Sequence, residues 1–278
     1  MRFFLIILLI ITLPGLLAAQ TAPDKKPLKL VWADEFNYNG LPDSTKWSYE
    51  SGFVRNQEPE YYTTRRLENC RVENGMLVIE ARKEDFPNAA YRAGSEKWDQ
   101  EAQFAHYTSA SINTKNRTEW KYGRMEIRAK VPAGKGIWPA FWMLGSDRGR
   151  IKWPGCGEID IMEFLGRDST RIYGTVHYAD VNGQVRNEGK LPVVGKPADG
   201  FHIYAIEWND EQIAFYYDDI KYFVFDFDKA AYNPGKTFQK SFYILLNMAL
   251  GHTGSWAGPV DDNLLPAKYY IEYVRVYQ

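Results

Sequence analysis

Apolar and polar residues alternate with a period of two along most of this chain, and that pattern predicts strands. Over residues 122–131, Met125, Ile127, Ala129 and Val131 point one way; Arg124, Glu126, Arg128 and Lys130 point the other. Residues 201–208, 242–247 and 269–277 read as further strands. Asn74-Gly75 between two apolar runs signals a hairpin, and Asp218-Asp219 marks a second tight turn before the run at 220–224. Roughly a dozen short strands, separated by Gly, Pro, Asn and Asp and with few helical periods, predict an all-β sandwich of two antiparallel sheets. Two long segments, 83–106 and 179–200, read as loops. The first carries Tyr91 and Trp98, which could wall a cleft or pack over a sheet edge.

One segment departs from the alternation. Gly157-Glu158-Ile159-Asp160-Ile161-Met162-Glu163-Phe164 sets three carboxylates among strand-forming residues. As a helix it would hold Glu158 and Glu163 roughly 140° apart, on different faces. As a regular strand it would put Glu163 in the core, where a carboxylate is costly. One extra residue at Met162, a β-bulge, resolves this. Glu158, Asp160 and Glu163 then line one face, with Ile159, Ile161 and Phe164 on the other.

Like charges in a row raise each other's pKa. A glycosidase uses that effect, because it needs one carboxylate ionised and one protonated at the same pH. Carboxyls about 5–5.5 Å apart suit a retaining double displacement, and about 6.5–9.5 Å suits inversion. Four strand steps put the two glutamate Cα atoms roughly 13 Å apart. Side chains leaning over Asp160 would close much of that gap, which favours retention. Two other readings compete: a solvated acidic face, and a divalent-metal site. The latter has no histidine or fourth acid close in sequence.

At this point the sequence resembles glycoside hydrolase family 16, whose signature is similar to Glu158-Ile159-Asp160-Ile161-Met162-Glu163. The resemblance extends to Val31-Trp32-Ala33-Asp34-Glu35-Phe36, Trp138-Pro139-Ala140-Phe141-Trp142-Met143-Leu144, Gly174-Thr175-Val176-His177-Tyr178 and Tyr273-Val274-Arg275-Val276-Tyr277. Asn56-Gln57-Glu58-Pro59-Glu60-Tyr61-Tyr62-Thr63 resembles the laminarinase loop, with Gln57 and Glu60 departing from it. With the extra Met162 the signature is similar to that of laminarinases and several other branches; the shorter signature marks the bacterial lichenase branch.

The resemblance implies a β-jelly roll with a concave substrate cleft, and a retaining endo-β-1,3-glucanase acting on laminarin-like polymers. Glu158 would be the nucleophile and Glu163 the acid and base, with Asp160 hydrogen-bonded to Glu158. Asn56, Glu58, Arg82, Trp138, Trp142, His177 and Trp256 would contact sugar, His177 without transferring a proton. No cofactor would be needed for catalysis; Glu35, the Gly75 carbonyl and Glu272 match a structural calcium site. The rivals are a mixed-linkage β-1,3-1,4-glucanase, a galactan hydrolase and a non-catalytic glucan-binding protein.

Composition narrows the partners. In 278 residues, 34 basic side chains face 35 acidic ones, for a formal net charge of -1. That balance suits a neutral polysaccharide and gives no reason for nucleic acid or a membrane surface. Arg2, the apolar run at 3–13 and Leu17-Ala18-Ala19 read as a signal peptide over 1–19, and hence as export to the periplasm or medium. A short polar lead, 20–27, and one catalytic domain, 28–278, would follow, working as a monomer. Cys70 and Cys156 could pair across a long loop or be two small buried residues.

Overall fold

The structure, a computed structural model, describes residues 27–278; the expected signal peptide and nearly all of the polar lead lie outside the described residues. In chain order the strands are β1 (Leu30–Asp34), β2 (Ser48–Tyr49), β3 (Glu60–Tyr62), β4 (Cys70–Glu73), β5 (Met76–Pro87), β6 (Phe104–Ser109), β7 (Ser111–Asn113), β8 (Gly123–Lys130) and β9 (Ile137–Gly145). They continue with β10 (Glu158–Glu163), β11 (Tyr173–Ala179), β12 (Val185–Lys190), β13 (His202–Trp208), β14 (Gln212–Tyr217), β15 (Ile220–Asp226), β16 (Phe242–Leu250) and β17 (Ala267–Tyr277). Two sheets form, as the alternation predicts. A seven-stranded sheet runs β12-β11-β10-β9-β16-β7-β2, and a ten-stranded sheet runs β15-β14-β13-β8-β17-β5-β6-β3 with β1 and β4 paired off that path. Pairing is antiparallel except for β3 with β6. The architecture is a β-jelly-roll sandwich.

Period-two side chains build the core between the sheets. Met125, Ile127 and Ala129 of β8 are fully buried, and so are Phe141 and Met143 of β9 and Ile159 of β10. The opposite face of β9 carries Ala140, Trp142 and Leu144, which join Cys156, Tyr243 and Leu245 in a smaller apolar cluster on the cleft side. β9 is thus apolar on both faces, one filling the sandwich and one flooring the cleft. Removing Phe141, which supports that floor from below, is expected to cost about 3–5 kcal/mol. Denaturant unfolding of Phe141→Ala checks this; a loss under 1 kcal/mol would mean the layer repacks.

The Asn74-Gly75 hairpin forms as expected, with both residues at positive φ. Two expected loops are shorter than the sequence suggests. β5 runs on to Pro87 and β6 begins at Phe104, so only 88–103 connects them. The 179–200 segment contains β12, whose sequence Val-Arg-Asn-Glu-Gly-Lys has no apolar face to announce it. Cys70 and Cys156 are both buried and unpaired, and they sit in different apolar clusters.

Candidate active site

The cleft lies on the seven-stranded sheet and encloses about 990 Å³. It crosses the strands rather than following one of them. Asn187 of β12, His177 of β11, Glu158 of β10, Trp142 of β9, Asn247 of β16 and Asn113 of β7 all line it. With strands about 4.8 Å apart, that path is about 24 Å long, and Ser48 and Tyr49 of β2 extend it to about 29 Å between the edge strands β12 and β2. A polymer can therefore lie across it with both ends outside.

The expected bulge is present in β10. Its position is a correction: against β9, Asp160 faces Trp142 while Met162 already faces Phe141, so the extra residue is Ile161 and not Met162, which keeps its place in the ladder. Ile161 and Met162 both enter the core, and Glu158, Asp160 and Glu163 all line the cleft. Register brings His177 directly opposite Glu158. Its Nε2 lies 3.2 Å from Asp160 Oδ2 and 3.9 Å from Glu158 Oε1. The expected direct hydrogen bond between Asp160 and Glu158 does not form among the described residues; the imidazole faces both acids instead. One nitrogen and two carboxylates within 4.8 Å of one another could also hold a cation, so the adjacent strand supplies the histidine that the local sequence lacks.

Burial dominates the electrostatics. It pushes the Glu158 carboxyl up to about 8, helped by the charge of Asp160 and opposed by His177, Arg55 and a hydrogen bond from Trp153. Burial also raises Asp160. Glu163 stands well above the usual carboxylate range, first from burial and then from the charges of Asp160 and Glu158. Trp138 Nε1 donates to Glu163 Oε1 at 3.1 Å, which leaves the other oxygen free to carry a proton. The three acids therefore favour fewer than three charges.

The aromatic residues lie where the sequence suggests. Trp138, Trp142 and Trp256 line the cleft, and Trp256 remains 41% exposed in its loop. Trp120 is core. Asn56 and Glu58 also line the cleft, Asn56 Nδ2 donating to Glu58 Oε1 at 3.1 Å. Glu58 is buried beneath, accepting from Tyr62 Oη at 3.4 Å. Arg82 is a correction. It is on β5 of the other sheet, lies outside the cleft lining, and pairs with Glu80. Ala81 before it points into the core, so alternation turns Arg82 outward. Glu35 and Glu272, expected at a calcium, are each paired with an arginine, Arg275 and Arg128 respectively, so a cation would compete with a guanidinium.

Three cleft residues were not legible beforehand. Arg55 pairs with Glu50 and lies 5.1 Å from the Trp142 ring centroid and 5.6 Å from that of Tyr62. Its only sequence signal is its place just before the Asn56 loop. Asn247 links Trp142 Nε1, at 2.8 Å, to Tyr62 Oη, at 3.0 Å. Trp153 faces the His177 ring at 6.0 Å and is 43% exposed. Its loop carries Pro154 and Gly155, turn residues that favour an exposed side chain.

Residues 57–275 match glycosyl hydrolases family 16. A β-glucanase of Rhodothermus marinus is 41% identical over 270 residues, covering 92% of this chain and 87% of that protein. The solved laminarinase of Rhodothermus marinus superposes with a TM-score of 0.76 at 40% identity, covering 91% of this chain and 98% of that one. A further solved chain, from work on endo-acting O-glycanases that prominent human gut microbiota express to initiate mucin breakdown, superposes with a TM-score of 0.83 at 36% identity. It covers 94% of this chain and 93% of that one.

Proposed function

The chain belongs to glycosyl hydrolases family 16, and from that premise we propose that it is a retaining endo-β-1,3-glucanase acting on laminarin-like glucan. The observation that carries the reading is the row of Glu158, Asp160 and Glu163 in a cleft reaching both edges of its sheet. Such a cleft admits the interior of a chain, which is the endo mode.

The chemistry follows from the two glutamates. Glu158 attacks the anomeric carbon as the carboxylate, while Glu163 passes its proton to the leaving oxygen. A covalent glycosyl-enzyme forms. Glu163, now ionised, takes a proton from water, which attacks the same carbon and releases sugar of unchanged anomeric configuration. His177 and Arg55 stabilise the ionised nucleophile, and Trp138 holds the acid. Family 16 glycosidases need no cofactor for these steps, so the cation-capable trio is read as acid and imidazole. The apolar run at 3–13 and the small residues at 17–19 support work outside the cytoplasm.

Reducing-sugar release from laminarin, mixed-linkage β-1,3-1,4-glucan and mucin O-glycans, run in parallel, tests the substrate. Fastest cleavage of laminarin into short oligosaccharides is expected. Preference for mixed-linkage glucan would move the chain to a lichenase-type specificity. Preference for mucin glycans would favour the second reading that the 0.83 superposition supports. Proton NMR of the first products should show the β anomer; early α product would rule out double displacement.

A further inference from the structure

The cleft does not end at its aromatic wall. Trp138 and Trp256 meet edge to face at 5.5 Å, and Trp256 leans on Tyr173 at 4.6 Å. Beyond this wall is a second, shallower hollow of about 600 Å³, lined by both tryptophans together with Asn56, Gln57, Trp98 and His252. Besides Trp138 of β9, three stretches remote in sequence build it: the loop before β3, the 88–103 connection, and the turn after β16. They touch each other. His252 Nε2 lies 3.4 Å from the Asn56 carbonyl oxygen, and Trp98 packs edge-on against Phe53 at 5.9 Å.

Its lining is unlike that of the main cleft. Among the described residues no Asp, Glu, Lys or Arg lines this hollow, whereas the main cleft holds all three acids and several cations. Indole surface alternates with two amides and one imidazole, the combination that suits a sugar's apolar face and its hydroxyls. Asn56 and Gln57 are consecutive non-glycine residues at φ 53° and 55°. Such conformations are costly and persist where surrounding structure imposes them, often at binding sites. Gln57 is exposed, and its side-chain amide makes no hydrogen bond among the described residues.

We propose that this hollow is a separate binding site for one neutral hexose unit of the glucan, beyond the units held against the acids. The proposal rests on the glucanase reading. The same chemistry would accept either a glucosyl side branch or the distal unit of the main chain. Trp98 and Gln57 are its specificity residues, since Trp138, Trp256 and Asn56 also serve the main cleft.

The test is steady-state kinetics of wild type, Trp98→Ala and Gln57→Ala on linear β-1,3-gluco-oligosaccharides of increasing length, and on branched against debranched glucan. Losing one aromatic contact is expected to raise KM about 3- to 10-fold with kcat unchanged. A rise confined to the longer linear substrates assigns the distal unit; a rise confined to branched glucan assigns the branch. Gln57→Ala removes an exposed amide with no hydrogen bond among the described residues, so it guards against the Phe53 contact being the reason Trp98→Ala fails. A wild type that cleaves glucan, with both variants unchanged or equally impaired on the shortest substrate, overturns the site alone. A wild type silent on every glucan overturns the glucanase reading and this site with it.

Discussion

Glu158→Gln and Glu163→Gln are expected to leave a folded protein with almost no activity. The loss should be about 10²- to 10⁴-fold for Glu163, the usual contribution of a placed acid. It should be on the order of 10⁴-fold or more for Glu158, whose removal closes the covalent route. The alanine variants separate the roles. Azide needs no deprotonation, so it should rescue Glu163→Ala by attacking the glycosyl-enzyme, giving a β-glycosyl azide. In Glu158→Ala it should occupy the space of the lost carboxylate and give the α-azide. The pH profile adds a third signature. Glu158 must be ionised and Glu163 protonated, and burial raises both, so the bell of kcat/KM should sit above the ordinary carboxylate range. Glu163→Gln should lose its alkaline limb. Turnover near wild type in either glutamine variant would end the assignment.

The second large effect concerns stability. Glu163→Gln should raise the melting temperature, and more so at higher pH. The unfolded chain ionises its glutamates near pH 4.3–4.5, whereas the folded chain holds Glu163 protonated well above that. Across that window the folded state binds more protons than the unfolded one, so wild-type stability falls as pH rises. The amide removes the Glu163 share of this loss and can still accept the Trp138 hydrogen bond. The two proteins should melt together near pH 4 and separate toward pH 8, by about 2–4 °C for each kcal/mol recovered. Calorimetric scans at the two pH values decide it. A gap that is constant with pH would show that Glu163 ionises as freely in the fold as out of it.

The acids, their bulge and most of the strands were legible because they are local. Alternation identifies the faces of β8, and the one surplus residue in β10 follows from asking where Glu163 could point. What stayed hidden depends on register. His177 faces Glu158 only because β10 and β11 pair at that offset, and nothing within either strand fixes it. Asn247 and Arg55 reach Trp142 from a neighbouring strand and a distant loop. Arg82 failed for the opposite reason: a family likeness placed it in the cleft, while alternation after the buried Ala81 turns it outward on the other sheet. Trp98 could be read either as wall or as packing; it does both, against the outer hollow and against Phe53.

The polarity that concealed β12 has another side. This strand ends the seven-stranded sheet, so one row of its backbone amides and carbonyls has no ladder partner among the described residues. Bare edges of this kind template pairing between molecules, and charge along the strand is a common guard. Here Arg186 is tied back to Asp180, Glu188 to Tyr178, and Lys190 stands exposed at the end. The opposite edge, β2, is two residues long, too short to recruit a partner. A variant with valine, threonine and isoleucine in place of those three charges would read as a better strand and keep every catalytic acid. It would also be the variant most prone to stack into fibrils, a failure that light scattering would show before any assay of sugar release.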